Sequence, residues 1–219
     1  MNSQYPDSPQ TPQDSQPTGG IPPAQASAAP MARVSIHLEA KKPIVTYVIV
    51  GVTILFFLLQ EASLYFLGYD LPAALGAKVN EYILKGQVWR LFTPMLLHGS
   101  ITHIFFNMYA LVVIGREVEM YYGHKRYLLL YLVSGFAGNV FSFIITPGAS
   151  YGASTAIFGL IAAEGVFIYR NRKFFKNSRA MLINVLVIVG INLFIVGMIP
   201  NIDSFGHLGG LLGGLAFAW

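Results

Sequence analysis

The sequence predicts an all-α, polytopic membrane protein built as a bundle of six membrane-crossing helices. Three observations carry that prediction. Of the 219 residues, 54% are hydrophobic and 11% charged, against roughly 25% charged in an ordinary soluble domain. After Lys42 the chain returns six times to apolar stretches near or above the length that crosses a hydrocarbon core, about 20 residues at 1.5 Å rise each. Eleven of the fourteen Lys and Arg residues fall in connections that this topology places on one side.

Residues 1–40 read as a disordered, Pro/Gln/Ser-rich cytoplasmic tail. Seven of the twelve prolines lie before residue 31, among Gln, Ser, Thr, Gly and Ala, a composition that builds no core. A basic start followed directly by an apolar run, the mark of a secretory signal, is not present there. Residues 41–219 form the transmembrane domain.

The first span runs from Pro43 to Leu67, preceded by Arg33, Lys41 and Lys42. The long connection from Gly68 to Arg90 is amphipathic and reads as lying in the membrane interface beside the bundle. It carries Lys78, Lys85 and Arg90, the three basic residues of the other side. The second span, Leu91 to Ile114, holds His98, His103 and Asn107 and is followed by Arg116, Lys125 and Arg126. The third runs from Tyr127 to Ile145, and the fourth from Ser154 to Tyr169. Arg170, Arg172, Lys173, Lys176 and Arg179 follow it. The fifth, Met181 to Ile199, crosses back, and the sixth runs from Ser204 to Trp219. The positive-inside rule then puts both termini in the cytoplasm of a cell-membrane protein. The basic residues are loop anchors, and no basic surface with groove-reading elements suggests a nucleic-acid partner. With no cysteine in the chain, disulfides, thiol catalysis and cysteine metal sites are excluded.

Two short pieces carry the chemistry. Gly152-Ala153-Ser154-Thr155-Ala156-Ile157-Phe158-Gly159 and Gly206-His207-Leu208-Gly209-Gly210 place a serine and a histidine near the starts of spans four and six. Both spans enter from the outer face, so Ser154 and His207 share a depth of about 5 to 10 Å. A hydroxyl attacks a peptide carbonyl only when a base takes its proton, and histidine suits that task near neutral pH. Glycines at 206, 209, 210, 213 and 214 on span six face Gly152, Ala153, Ala156 and Gly159 on span four. These small faces pack closely, and close packing brings Ser154 within reach of His207.

His103 and Asn107 are four residues apart and share a helical face, whereas His98 is rotated about 140° from His103. Polar side chains inside a membrane line a cavity, meet partners or glue helices together. A zinc site from His98, His103 and His207 would lack the His-Glu-x-x-His pattern and a nearby general-base carboxylate. Glu164, the only mid-membrane carboxylate, lies about 15 Å deeper than Ser154 and is neutralised or paired within the bundle. Asp203, four residues before His207, reads either as the acid of a triad or, more simply, as a helix cap shared with Ser204.

Taken together these residues resemble the rhomboid intramembrane serine proteases. The resemblance rests on Gly152 and Ser154, on Gly-His-x-Gly-Gly-x-x-x-Gly from Gly206 to Gly214, and on Trp89-Arg90 followed by His98, His103 and Asn107. Glu119 and Gly123 also fit, and the similarity extends from about residue 43 to the end. It implies a six-helix rhomboid-like bundle in which Ser154 and His207 form a catalytic dyad without a carboxylate. His103 and Asn107, with the Ser154 backbone N–H, would form the oxyanion hole. Phe158 would hold the imidazole by ring contact or simply pack in the bundle, and His98 would line the cavity or fix a loop. No cofactor and no metal are implied. The expected partners are the lipid bilayer and transmembrane protein substrates whose helices unwind locally; the oligomeric state is left open.

One position departs from the family, which has glycine directly after the serine where this chain has Thr155. A β-branched residue there narrows the site or disturbs the oxyanion amide. Two other classes remain: a catalytically weak or silent rhomboid-like protein that binds membrane clients, and a small transporter. The second would show internal repeats and a path of intramembrane charges, and no repeat is evident.

Overall fold

A computed structural model describes residues 42–195, 198 and 202–219. The tail assigned to residues 1–40, with Arg33, and also Lys41, residues 196–197 and the stretch 199–201, lie outside the described residues. Among the described residues eight α-helices follow one another: α1 (Ile44–Leu67), α2 (Leu71–Gly76), α3 (Asn80–Leu84), α4 (Ile101–Tyr122), α5 (His124–Ile145), α6 (Ser154–Arg170), α7 (Ser178–Gly190) and α8 (Ser204–Ala218). A π-helical turn, Ile191–Ile195, extends α7. The described residues hold no β-strand, only an isolated antiparallel bridge between Lys78 and Ser150.

Helices α1, α4 and α5 are long and apolar enough to cross a membrane, which makes the chain multi-pass. Helices α6, α7 and α8 are shorter, at 17, 13 and 15 residues. The count of six crossings stays an expectation. Large apolar side chains on the outer faces, such as Leu55, Leu58, Phe105, Phe106 and Tyr109, are exposed. On a water-soluble protein such a surface would invite association, whereas hydrocarbon covers it at no cost. The core lies instead around α6, whose Ala156, Leu160 and Ala163 are fully buried and which packs against α4, α5, α7 and α8.

The second span begins later than its hydropathy suggests. The apolar run from Leu91 does not join the helix: it forms short 3-10 turns at Val88–Leu91 and Thr93–Leu96, and α4 starts at Ile101. Pro94 has no N–H to give a helix, and the Ser100 side chain sets the true start by accepting the His103 N–H. His98 is therefore a loop residue, and no helical rotation relates it to His103.

The connection after α1 also corrects an expectation. Lys78 and Arg90 were read as loop anchors, yet they are 0% and 2% exposed. The Arg90 guanidinium donates to the carbonyls of Ala77 and Ala74, both at 2.7 Å, and to Gln87 Oε1 at 2.7 Å. It satisfies the end of α2, whose carbonyls have no intrahelical partner. Trp89 adds a bond from Nε1 to the Leu75 carbonyl at 3.1 Å. Glu119 plays the matching part for α1, whose N-cap residue, Pro43, supplies no side-chain cap. Its carboxylate accepts the N–H groups of Val45 at 2.9 Å and Thr46 at 2.8 Å, and the Thr46 hydroxyl at 2.7 Å.

Candidate active site

Ser154 is the first residue of α6 and His207 the fourth of α8, so both helices present their opening turns to one another. The two backbones touch. A Cβ at Gly210 would stand 1.9 Å from the Thr155 carbonyl oxygen, and one at Gly214 would stand 2.2 Å from that of Gly159. Only residues without a side chain permit this approach. Its product is a distance of 2.8 Å between His207 Nε2 and Ser154 Oγ. The imidazole is 7% exposed. It lies flat on the Phe158 ring, with centroids 4.4 Å apart and planes 14° from parallel.

The turn into α6 is held from two sides. Gly152 has φ 148°, a conformation that favours glycine. A Cβ there would also stand 2.9 Å from His103 Nε2. Its N–H donates to the Pro94 carbonyl at 2.9 Å. His98 Nε2 accepts the next N–H, that of Ala153, at 3.4 Å, which makes His98 a fixer of the loop one residue before Ser154. Its own N–H donates to Gln60 Oε1 at 3.0 Å, and Gln60 Nε2 donates to Asp70 Oδ2 at 2.7 Å. Burial pushes the His98 imidazole down to about 3, so it stays a neutral acceptor.

His103 faces His98, edge to face, with centroids 4.9 Å apart. Its Nδ1 accepts the Gly99 N–H at 3.5 Å, which leaves the proton on Nε2, the nitrogen turned toward Gly152. Asn107 lies one turn further along α4, and its amide donates to the His103 carbonyl at 2.9 Å. One of its two N–H bonds is thus used within the helix and the second is not. The three histidines do not converge on a point, since His98 and His207 each direct Nε2 at a different group of the α6 start.

Asp203 caps α8 by accepting the Gly206 N–H at 2.9 Å, and its other oxygen accepts the Ser142 hydroxyl of α5. His207 Nδ1 has no hydrogen-bond partner among the described residues. The geometry at Asp203 is that of a cap, and the Ser154–His207 pair has no carboxylate bonded behind the imidazole among the described residues. Glu164 lies ten residues along α6 from Ser154, half-buried and remote from the dyad.

A cavity of about 40 Å³ opens beside the dyad, lined by His103, Gly152, Ser154, Thr155 and His207 together with Asn139, Ser150 and Asp203. Its size compares with one water's share of liquid volume, about 30 Å³. Asn139 donates from Nδ2 to the Leu91 carbonyl at 3.0 Å and closes one wall. Sequence reasoning did not single out Gln60, Asn139, Ser142 or the burial of Lys78. Each has a partner 38 to 70 residues distant in the chain, for which no local pattern exists.

Residues 85–219 match the family model described as the Rhomboid domain. Among curated proteins the chain is 43% identical over 173 residues to "Rhomboid protease GluP" of Bacillus subtilis (strain 168), covering 79% of this chain and 34% of that protein. It is 40% identical over 137 residues to "RHOMBOID-like protein 1" and 41% over 136 residues to "RHOMBOID-like protein 7", both of Arabidopsis thaliana. Each of these covers 62% of this chain, and 35% and 43% of the relative's own length. The chain therefore spans about a third to two fifths of these relatives. The matched region holds the Trp89-Arg90 pair, the His103 face of α4 and both halves of the Ser154–His207 contact, and with it the chain belongs to the rhomboid family.

Proposed function

We propose that the chain is an intramembrane serine endopeptidase that hydrolyses peptide bonds in or near transmembrane segments of other membrane proteins. The observation that carries this reading is the 2.8 Å contact between His207 Nε2 and Ser154 Oγ at the heads of two packed helices. With the proton on Nδ1, Nε2 accepts the Ser154 hydroxyl hydrogen. Ser154 Oγ attacks the scissile carbonyl carbon as His207 takes that proton, and the resulting imidazolium protonates the leaving amine. The C–N bond breaks, leaving an acyl group on Ser154. Water, deprotonated by the neutral His207, then attacks the ester and regenerates the hydroxyl.

The oxyanion of each tetrahedral intermediate meets the Ser154 backbone N–H at the start of α6, His103 Nε2–H and the second Asn107 amide hydrogen. Donors so placed typically contribute about 3 to 4 kcal/mol each to lowering the barrier. The substrate helix has to unwind at the scissile bond, because a helical carbonyl is already hydrogen-bonded and shielded. Segments with glycine or other weak helix formers near the outer boundary are the preferred targets. The protein sits in the cell membrane with both termini cytoplasmic.

The test is cleavage of a model transmembrane substrate in liposomes by the native chain, Ser154→Ala and His207→Ala. Cleavage that both substitutions abolish supports the reading. Well-folded native protein that cuts none of several substrates overturns it, in favour of a silent rhomboid-like protein that binds membrane clients.

A further inference from the structure

The two dyad residues hang on separate helix starts, and each start is held by a charge that the proposed chemistry does not use, the buried Lys78 on one side and the half-buried Asp203 on the other. Lys78, in the connection between α2 and α3, donates from Nζ to the carbonyls of Thr146 and Gly148, both at 2.7 Å. Its backbone exchanges two hydrogen bonds of 3.0 Å with Ser150. Those three partners lie in the segment that leads from α5 to Ser154, so the lysine grips the approach to the nucleophile. Asp203 grips the other side, capping α8 one turn before His207 and binding Ser142 of α5.

The two grips meet. Ser142 Oγ lies 3.3 Å from Ser150 Oγ, which joins the Lys78-held segment to the Asp203 carboxylate through two hydroxyls. Burial pushes the Lys78 ammonium down while the Asp203 carboxylate raises it. Burial pushes the Asp203 carboxyl up, but bonds from Ser142, Ser150 and the Gly206 N–H, together with the Lys78 charge, hold it below the usual carboxylate range. A neutral serine would cap α8 about as well as an aspartate. Burying a lysine is costly unless a charge partner and hydrogen bonds compensate. Capping alone does not account for the pair.

We propose that Lys78 and Asp203 are positioning residues acting as one unit: together, through Ser150 and Ser142, they set the register of the Ser154 approach against the start of α8. The proposal rests on the protease reading for its kinetic consequences, since a dyad displaced by about 1 Å loses on the order of a hundredfold in rate. Its structural consequence is independent of activity. Loosening either end should loosen the other, although Lys78 bonds to nothing in α8 and Asp203 reaches the 146–153 segment only through side-chain hydroxyls, that of Thr146 at 3.4 Å and that of Ser150.

Lys78→Met keeps the aliphatic stem and loses both Nζ donations; Asp203→Asn keeps an oxygen for the Gly206 N–H and loses the charge. Amide hydrogen exchange of the full chain in detergent reads the coupling. Lys78→Met is expected to speed exchange at Gly206 and His207 at least tenfold, and Asp203→Asn to do the same at Ser150 and Gly152. Kinetics with a transmembrane substrate should show kcat lowered ten- to a hundredfold and KM within twofold for each variant. The double variant should be no worse than about the poorer single one, and Lys78→Arg should recover part of the loss. Exchange that quickens only on each residue's own side overturns the unit, whether or not the chain cuts anything. A native chain that shows the coupled exchange yet cleaves no substrate overturns the protease reading and leaves the positioning network standing.

Discussion

Gly210 of α8 lies directly against the carbonyl of Thr155 in α6, so close that a methyl group on Gly210 would stand 1.9 Å from that oxygen. The obstacle is backbone, which cannot swing aside as a side chain does. Gly210→Ala must therefore push the two helix starts apart, and with them Ser154 and His207. The expected cost is about 3 kcal/mol of stability, at the upper end for overpacking a close contact. Labelling of Ser154 by a fluorophosphonate should fall more than a hundredfold. Gly51→Ala in α1 is the control: a Cβ there meets nothing within 4 Å. It should leave labelling unchanged and slightly raise the melting temperature, since alanine favours a helix over glycine.

Phe158 offers the His207 imidazole a flat apolar face at 4.4 Å. Ring pairs of this kind contribute about 1 kcal/mol beyond their buried area, which corresponds to roughly fivefold in rate if the contact orients the base. Phe158→Leu keeps most of the buried volume and removes the face. The expected result is a kcat lowered about five- to tenfold with KM unchanged, and a melting temperature that falls little. An unchanged kcat would return Phe158 to ordinary packing.

Glu119 gathers the free N–H groups at the start of α1 through three hydrogen bonds of 2.7 to 2.9 Å and also meets His124. Bonds to an ionised carboxylate contribute about 1.5 to 3 kcal/mol each. Glu119→Gln exchanges an acceptor oxygen for a donor facing donors. It should lower stability by about 2 kcal/mol, measured by thermal melting in detergent. The rate of Ser154 labelling per folded molecule should not change, because the capped turn is remote from the dyad.

The candidate site was legible where chemistry and local pattern coincide. Ser154 and His207 sit in short Gly-rich signatures at helix starts, and the same glycines that mark the motif make the contact. The start of α4 was not legible from hydropathy, which counts Leu91, Phe92, Met95, Leu96 and Leu97 as span residues and ignores that Pro94 withholds a donor. Lys78 and Arg90 were misread for a related reason. A cation in a connection looks like a surface charge until its carbonyl partners are known, and for Lys78 these lie about 70 residues along the chain. Asp203 stood between two readings, and the Ser142 hydroxyl and the Gly206 N–H resolve it as a cap.

Thr155 is the departure from the family pattern, and its surroundings change what its replacement should do. On sequence grounds it narrows the site or disturbs the oxyanion amide, so that Thr155→Gly would relieve either. In the structure its Cβ and Cγ2 fill the space above Gly138 of α5, where a Gly138 Cβ would stand 2.7 and 3.0 Å from them. The threonine is thus a spacer between α5 and α6, and Gly138 is small to receive it. Thr155→Gly removes that filling and adds a flexible residue to the first turn of α6, for a combined loss of about 2 kcal/mol. The expected outcome is a lower melting temperature with Ser154 labelling no faster than in the native chain. Thr155 Oγ1 is buried without a hydrogen-bond partner among the described residues. Thr155→Val keeps the shape and removes that unpaired hydroxyl, so it should be at least as stable as the native protein. A glycine variant that labels faster would show that the side chain does obstruct the nucleophile.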